Sequence, residues 1–336
     1  MTDKALAPGS LILVTGINGY LGGHVAAELL KLGYSIRGTA RDQAKADLAV
    51  KGLKKYGSHV EGVVLSDHTS ENAYHSVLNG IDGVVHVASD VSFGVDPNVV
   101  VTGTVNAMNS ILTAAAKEST VKRFVYTSSV IAAAHQGGEV LEKRVINDQS
   151  WNTNDVELAW APNPSSISVY AASKVESEKA LWKFAQEHKG FEVNTVLPSL
   201  VIGPPAFAGQ NLSTSGWLNA LYSGPDEQTL GLLKSLQPAL TVDVRDIARA
   251  HVAALLDTDV VGQRIVASTE SGNITTWLNA MKKAFPEHKT WAAGNEVEPV
   301  DKTEVDNAPF RKLIKRQGRS DLLFAEESLR DQIAAI

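Results

Sequence analysis

The chain has 336 residues, 44% of them hydrophobic and 20% charged, with a formal net charge of −6. That composition fits a globular protein of about two domains or one large α/β unit, with a core that needs no staples. The absence of cysteine excludes disulfides, thiol nucleophiles and thiolate metal sites, and the negative balance argues against nucleic acid.

The first residues carry no apolar core of signal-peptide type, and no apolar stretch reads as long enough to span a bilayer. A cytoplasmic protein with no membrane contact is therefore expected. Residues 11–14 (Leu-Ile-Leu-Val) read as a buried strand, and residues 20–32 as a helix closed by Gly33. Between them lies Thr15-Gly16-Ile17-Asn18-Gly19-Tyr20-Leu21-Gly22. A strand, a glycine-rich turn and a helix in this order aim backbone N–H groups at a pyrophosphate. Gly16 permits the tight turn, Gly19 the approach of the phosphates, and Gly22 close packing of helix on sheet. No Gly-Lys-Ser/Thr follows, so the turn is not a Walker loop.

Residues 35–39 form the second strand-like run, followed by Arg41, Asp42 and Lys45. An acid at this place binds a ribose 2′-hydroxyl and an arginine a 2′-phosphate. Arg41 and Lys45 can bracket a phosphate, whereas Asp42 would suit NAD. Two cations against one carboxylate favour NADP. Strand-like runs at 60–65, 83–87 and 123–127 alternate with helical segments such as 106–117. A polar stretch over 135–168, with Gly137-Gly138 and Pro162-Asn163-Pro164, reads as a long functional loop. A helix follows over 171–188, then strands at 193–197 and 264–267. This alternation predicts a Rossmann-type, doubly wound parallel sheet of the α/β class.

Tyr170 and Lys174 stand four apart on a helix and share a face. A nearby cation stabilises a phenolate and brings its pKa toward the working range. The plainer reading is a surface tyrosine beside a lysine that pairs with Glu178. Residues 203–238 are rich in Gly, Pro and Ser. The expected division is a dinucleotide-binding domain over 1–202 and 240–270, with a smaller substrate lobe over 203–239 and 271–336. The basic run 311–316 reads as a solvated helix face. No H-E-x-x-H pattern or thiol partner accompanies the nine histidines, so no metal site is expected, and no G-x-S-x-G elbow suggests a hydrolase.

Taken together the motifs resemble the extended short-chain dehydrogenase/reductase family. They are the glycine turn, Asp67, His86-Val87-Ala88-Ser89, Thr127-Ser128-Ser129, Tyr170-x-x-x-Lys174, and residues 197–204 around Pro198. Residues 242–251, from Val242-Asp243 to His251, are similar to its dihydroflavonol-reductase-like branch. Arg37-Gly38-Thr39-Ala40-Arg41, Ser150-Trp151-Asn152, Tyr170-Ala171-Ala172-Ser173-Lys174 and Ser213-Thr214-Ser215-Gly216-Trp217 resemble fungal NADPH-dependent aldehyde and ketone reductases.

The resemblance implies NADPH or NADP as cofactor and a small, apolar or aromatic carbonyl substrate, in a monomer or homodimer. It makes Tyr170 the proton donor, Lys174 the holder of the nicotinamide ribose and the group that lowers the tyrosine pKa, and Ser129 rather than Ser128 the carbonyl's hydrogen-bond donor. Asp67 and His68 would lie by the adenine. Tyr20, Leu21, Val87, Ala88, Ser89, Thr127, Pro198, Val201 and Ser215 would line the cofactor cleft. Residues 89–97, the loop after Ser129 and 207–222 would roof the pocket, with Phe93, Trp217 and Tyr222 against the substrate. Asp246 and His251 belong to a segment that is mainly structural in this family. A sugar-nucleotide epimerase or dehydratase on the same scaffold is the competing enzyme, and a non-catalytic NADP-binding regulator the reading from another class.

Overall fold

The computed structural model describes residues 4–70, 72–224, 227–294, 297 and 299–336. Its first part runs β1 (Leu11–Thr15), α1 (Tyr20–Lys31), β2 (Ser35–Ala40), α2 (Gln43–Leu53), β3 (Val60–Val64), α3 (His75–Leu78), β4 (Gly83–His86), α4 (Pro97–Lys117) and β5 (Arg123–Thr127). Then come β6 (Val140–Ile146), α5 (Thr153–Ala159), α6 (Ser166–Glu187), β7 (Glu192–Pro198), β8 (Leu200–Ile202), α7 (Gly216–Ser223) and α8 (Glu227–Leu236). The last part is β9 (Ala239–Asp243), α9 (Val244–Leu256), β10 (Arg264–Ala267), β11 (Glu270–Gly272), α10 (Ile274–Ala284), β12 (Asp301–Val305), α11 (Ala308–Arg316) and α12 (Ala325–Ile333).

Seven strands pair in the order β3-β2-β1-β4-β5-β7-β10, every register parallel. The inner strands β1 and β4 are covered on both faces, which is why their sequences read as apolar runs. The pleat still sorts side chains by twos. Ile12 and Val14 join α1, α9 and α11 in one core, through Val25, Leu29, Ile247, Leu255, Phe310 and Leu313. Leu13 joins the other, with Phe124, Ile111 and Leu112 of α4, and Leu181 of α6. Strand order reverses between β1 and β4, the place where such sheets open a crevice at their carboxyl ends.

A smaller core gathers Ile202, Leu218, Leu221, Leu233, Ile274, Trp277, Leu278, Met281, Leu329 and Ile333. Beside it lies a three-stranded sheet, β11-β9-β8. The C-terminal segment is shared between the cores, since α11 packs on the large sheet and α12 on the smaller core.

Three local expectations change. The stretch 135–168 is not a plain loop: β6 pairs in parallel with β12, and α5 is capped by the Asn152 side chain, which accepts from the Asp155 N–H. The partner of β6 arrives some 160 residues later, so no local pattern reveals the strand. α6 begins at Ser166 because the Ser165 side chain caps it. That earlier start puts Tyr170 and Lys174 in its first turns. Finally, α4 is by length and composition long and apolar enough to cross a membrane, against the expectation that no stretch is. Here Val100, Val101, Met108, Ile111 and Leu112 bury it in the protein.

Candidate active site

A cleft of about 550 Å³ opens at the carboxyl ends of the parallel strands. Its floor at one end is the glycine turn. Gly16 has φ +68°, a backbone that only glycine adopts without strain. A Cβ on Gly22 would lie 2.3 Å from the Gly16 carbonyl, so α1 rests directly on the turn. No side chain caps α1 at Gly19. The turn is therefore a cradle in which the first N–H groups of a 12-residue helix lie open to an anion, as a pyrophosphate requires. Gly16, Gly19, Tyr20, Leu21 and Gly22 all line the cleft.

Thr15 ties the turn to the next strand. Its hydroxyl accepts from the N–H groups of Val87 and Ala88 at 3.0 and 2.9 Å and lies 2.9 Å from His86 Nδ1. Val87, Ala88 and Ser89 line the cleft, and the Ser89 hydroxyl is buried there without a partner. Arg41, Lys45 and His68 line the same end. Asp42 does not: it caps α2 by accepting from the Lys45 N–H at 2.9 Å, and its other oxygen meets Lys45 Nζ at 2.7 Å. These bonds hold its carboxyl below the usual range. Asp67, expected by the adenine, is also outside the lining. It is exposed and accepts from the N–H and hydroxyl of Thr69, so Leu65 and His68 carry that wall instead.

At the centre β5 delivers Thr127, Ser128 and Ser129 opposite Tyr170 and Lys174 of α6. The two serines part company. Ser128 Oγ donates to Glu178 at 2.7 Å, whereas the Ser129 hydroxyl lies close enough to the Tyr170 phenol to lower its pKa. Glu178 is fully buried and engaged by Arg264 Nε at 2.9 Å, by Thr195 and by Trp182. A surface pair between Lys174 and Glu178 is thus replaced by a buried polar knot, and Lys174 Nζ turns to the Thr127 carbonyl at 3.0 Å.

At the Tyr170 phenol burial is the largest influence and outweighs any lowering. Burial pushes Tyr170 up to about 12, offset by Ser129, and burial lowers Lys174 to about 8. Thr127 Oγ1 bonds His251 Nε2 at 2.8 Å, and His251 Nδ1 lies 2.8 Å from the Ile247 carbonyl. A carbonyl only accepts, so Nδ1 carries the proton and Nε2 accepts from Thr127. Burial lowers His251 to about 4 and keeps it neutral. Asp246 instead accepts from the Leu323 N–H, so the two form no acid–base pair.

Pro198 and Val201 line the cleft, with Ser199, whose hydroxyl is buried and unpartnered. Phe93 lies 5.3 Å from the Tyr170 ring and 6.2 Å from Trp217, which is outside the lining. Tyr222 is removed from the cleft: it stacks on His288 at 3.9 Å beside Trp291 and Phe285, filling the smaller lobe. Ser215 is buried and donates to Gln332 at 2.8 Å, and the neighbouring residues 211–214 line the cleft in its place. Val91, Ile131, Gln136, Ile167, Leu236 and Leu240 complete the wall. Leu236 and Leu240 reach it through the β9 region, a long-range placement with no sequence signal. Among the described residues no three His, Asp or Glu side chains are placed to hold a metal.

Comparison with known proteins agrees with this fold. The chain is 36% identical over 344 residues to aldehyde reductase 2 of Sporidiobolus salmonicolor, covering 99% of this chain and 98% of that one. It is 35% identical over 335 residues to the NAD-dependent epimerase/dehydratase terH of Aspergillus terreus, covering 98% and 97%. The crystal structure of yeast methylglyoxal/isovaleraldehyde reductase Gre2 complexed with NADPH superposes with a TM-score of 0.79 at 26% identity, over 97% of this chain and 98% of that one. With a family model matching residues 12–267, the chain belongs to the NAD dependent epimerase/dehydratase family, in the extended short-chain dehydrogenase/reductase branch that its motifs indicate.

Proposed function

We propose that this protein reduces aldehydes or ketones to alcohols with NADPH, using Ser129, Tyr170 and Lys174. One observation carries the reading. The three side chains meet on the wall of a single cleft whose other end is the glycine turn with Arg41 and Lys45. The turn and the α1 N–H groups would hold the pyrophosphate, and Arg41 with Lys45 the 2′-phosphate. Bound NADPH supplies the hydride that adds to the carbonyl carbon.

The protein's part is the proton and the charge. Tyr170 donates its phenolic proton to the carbonyl oxygen as charge develops there, and the Ser129 hydroxyl donates a hydrogen bond to the same oxygen. Burial keeps the phenol protonated at neutral pH, so Tyr170 enters the reaction in its acid form. Lys174, still charged at neutral pH, would hold the nicotinamide ribose and stabilise the phenolate left behind.

The substrate end favours an apolar carbonyl compound, since Phe93, Ile131, Ile167, Leu200, Leu236 and Leu240 line it. A sugar nucleotide needs a second diphosphate clamp. Among the described lining residues, Lys and Arg occur only as Arg41, Lys45 and Lys174. The names of the aldehyde reductase and Gre2 relatives support the same reading. Replacing Tyr170 with Phe tests it: carbonyl-dependent NADPH oxidation falls by roughly 10²- to 10⁴-fold, while fluorescence titration still shows NADPH bound. A variant that turned over at the wild-type rate would overturn the mechanism, and turnover of a nucleotide sugar would favour the epimerase.

A further inference from the structure

Gln210 follows the run Pro205-Ala206-Phe207-Ala208-Gly209, whose composition advertises no chemistry. In the fold it is 8% exposed and its amide is fully used. Nε2 donates to the carbonyls of Gly19 and Tyr20 at 2.8 and 3.2 Å, and Oε1 accepts from the Ala206 N–H at 2.6 Å. Those two carbonyls belong to the residues that end the glycine turn and open α1.

The same segment is fastened to α1 and α2 at further points. The Tyr20 hydroxyl donates to the Gly203 carbonyl, His24 Nε2 meets the Pro204 carbonyl at 2.9 Å, and the Tyr56 hydroxyl donates to Ala206 at 2.7 Å. Phe207 occupies space left by two glycines: a Cβ on Gly23 or Gly52 would fall 2.9 or 2.4 Å from its ring. Immediately after Gln210, residues 211–214 run along the cleft wall. They lead into α7, where Trp217 meets Phe93 over Tyr170.

We propose that Gln210 is a positioning residue that couples the dinucleotide turn to the 211–217 strap. Filling the turn orders the strap, and the strap completes the carbonyl pocket. The inference rests on the dinucleotide-dependent reading above. Coupling of this kind is reciprocal, so a bound carbonyl ligand also tightens the dinucleotide.

Hydrogen exchange of the full chain, with and without saturating NADPH, tests it without turnover. In the wild type, amides of 211–217 gain several-fold protection with NADPH. In Gln210→Ala and in the isosteric Gln210→Glu, which loses both donated bonds but keeps an acceptor for Ala206, that gain disappears at saturation. NADPH binds these variants roughly 5- to 20-fold more weakly, as loss of one or two net hydrogen bonds allows. Their carbonyl KM rises by a larger factor than kcat falls. Strap protection retained in NADPH-saturated variants, or absent from NADPH-bound wild type, overturns the coupling. A wild type that binds no NADPH would overturn the functional reading itself.

Discussion

Lys174 is 2% exposed, and burial takes its ammonium down to about 8. The unfolded chain keeps that proton to a pH of about 10.4. Between about 8 and 10.4 the unfolded state binds more protons than the folded one, so stability rises with pH across that window. Below pH 8 the full cost stands, on the order of 3 kcal/mol. Lys174→Met is therefore expected to lose activity and yet to be more stable than wild type at pH 7, by roughly 1–3 kcal/mol in urea. The gap narrows toward pH 10. A variant less stable than wild type at pH 7 would show that the charge is not held against a cost. That Ser129, Tyr170 and Lys174 would face one cleft was legible because each sits in a short motif at the end of its own strand or on one helix face. The places of Asp67 and Tyr222 were not, because a turn and an aromatic stack claim them through neighbours that composition does not rank.

α6 does more than carry the pair. One turn beyond Lys174, Glu178 joins Ser128 of the β5 end, Thr195 of β7 and Arg264 of β10. Arg264 then reaches the Ser150 and Asp148 carbonyls and lies 3.9 Å over the Trp151 ring. A buried carboxylate stripped of its cation costs about 3–5 kcal/mol. Arg264→Met should lose that much in chemical denaturation, and adding Glu178→Gln should recover part of it, because no unpaired charge then remains. An Arg264→Met protein of wild-type stability would mean that Glu178 is compensated elsewhere. The seven strands of the large sheet were visible as short strand-like runs alternating with helical segments. α6 and α4 begin earlier than their apolar patterns because Ser165 and Asp96 cap them, and Pro97 suits the first turn of α4.

Over the whole molecule, the C-terminal segment ties both cores. Phe310, Leu313 and Ile314 are buried against the large sheet, and Leu329 and Ile333 in the smaller lobe. Gln332 is fully buried, accepting from the Gly203 N–H and the Ser215 hydroxyl and donating to the Ser215 carbonyl. Losing large core side chains costs about 2–5 kcal/mol each, against a total stability of about 5–15 kcal/mol. A chain ending at 307 is expected to lose the large sheet along with the lobe, giving little soluble protein and no near-ultraviolet circular dichroism. A truncated chain with a cooperative transition and native-like exchange protection in β1 and β4 would refute this. The lobe's make-up was hardest to read, since its core draws on Ile202, Leu233 and Ile333, far apart in sequence.

The β6–β12 ribbon has a consequence for synthesis. Its two parallel strands are separated by roughly 160 residues, so at about 5–20 residues per second β6 is synthesised roughly 8–30 s before its partner. Leu141 and Val145 of β6 remain more than half exposed even in the finished protein. During translation the nascent strand offers those side chains and an unpaired backbone edge at once. Pairing with residues 301–305 covers that edge.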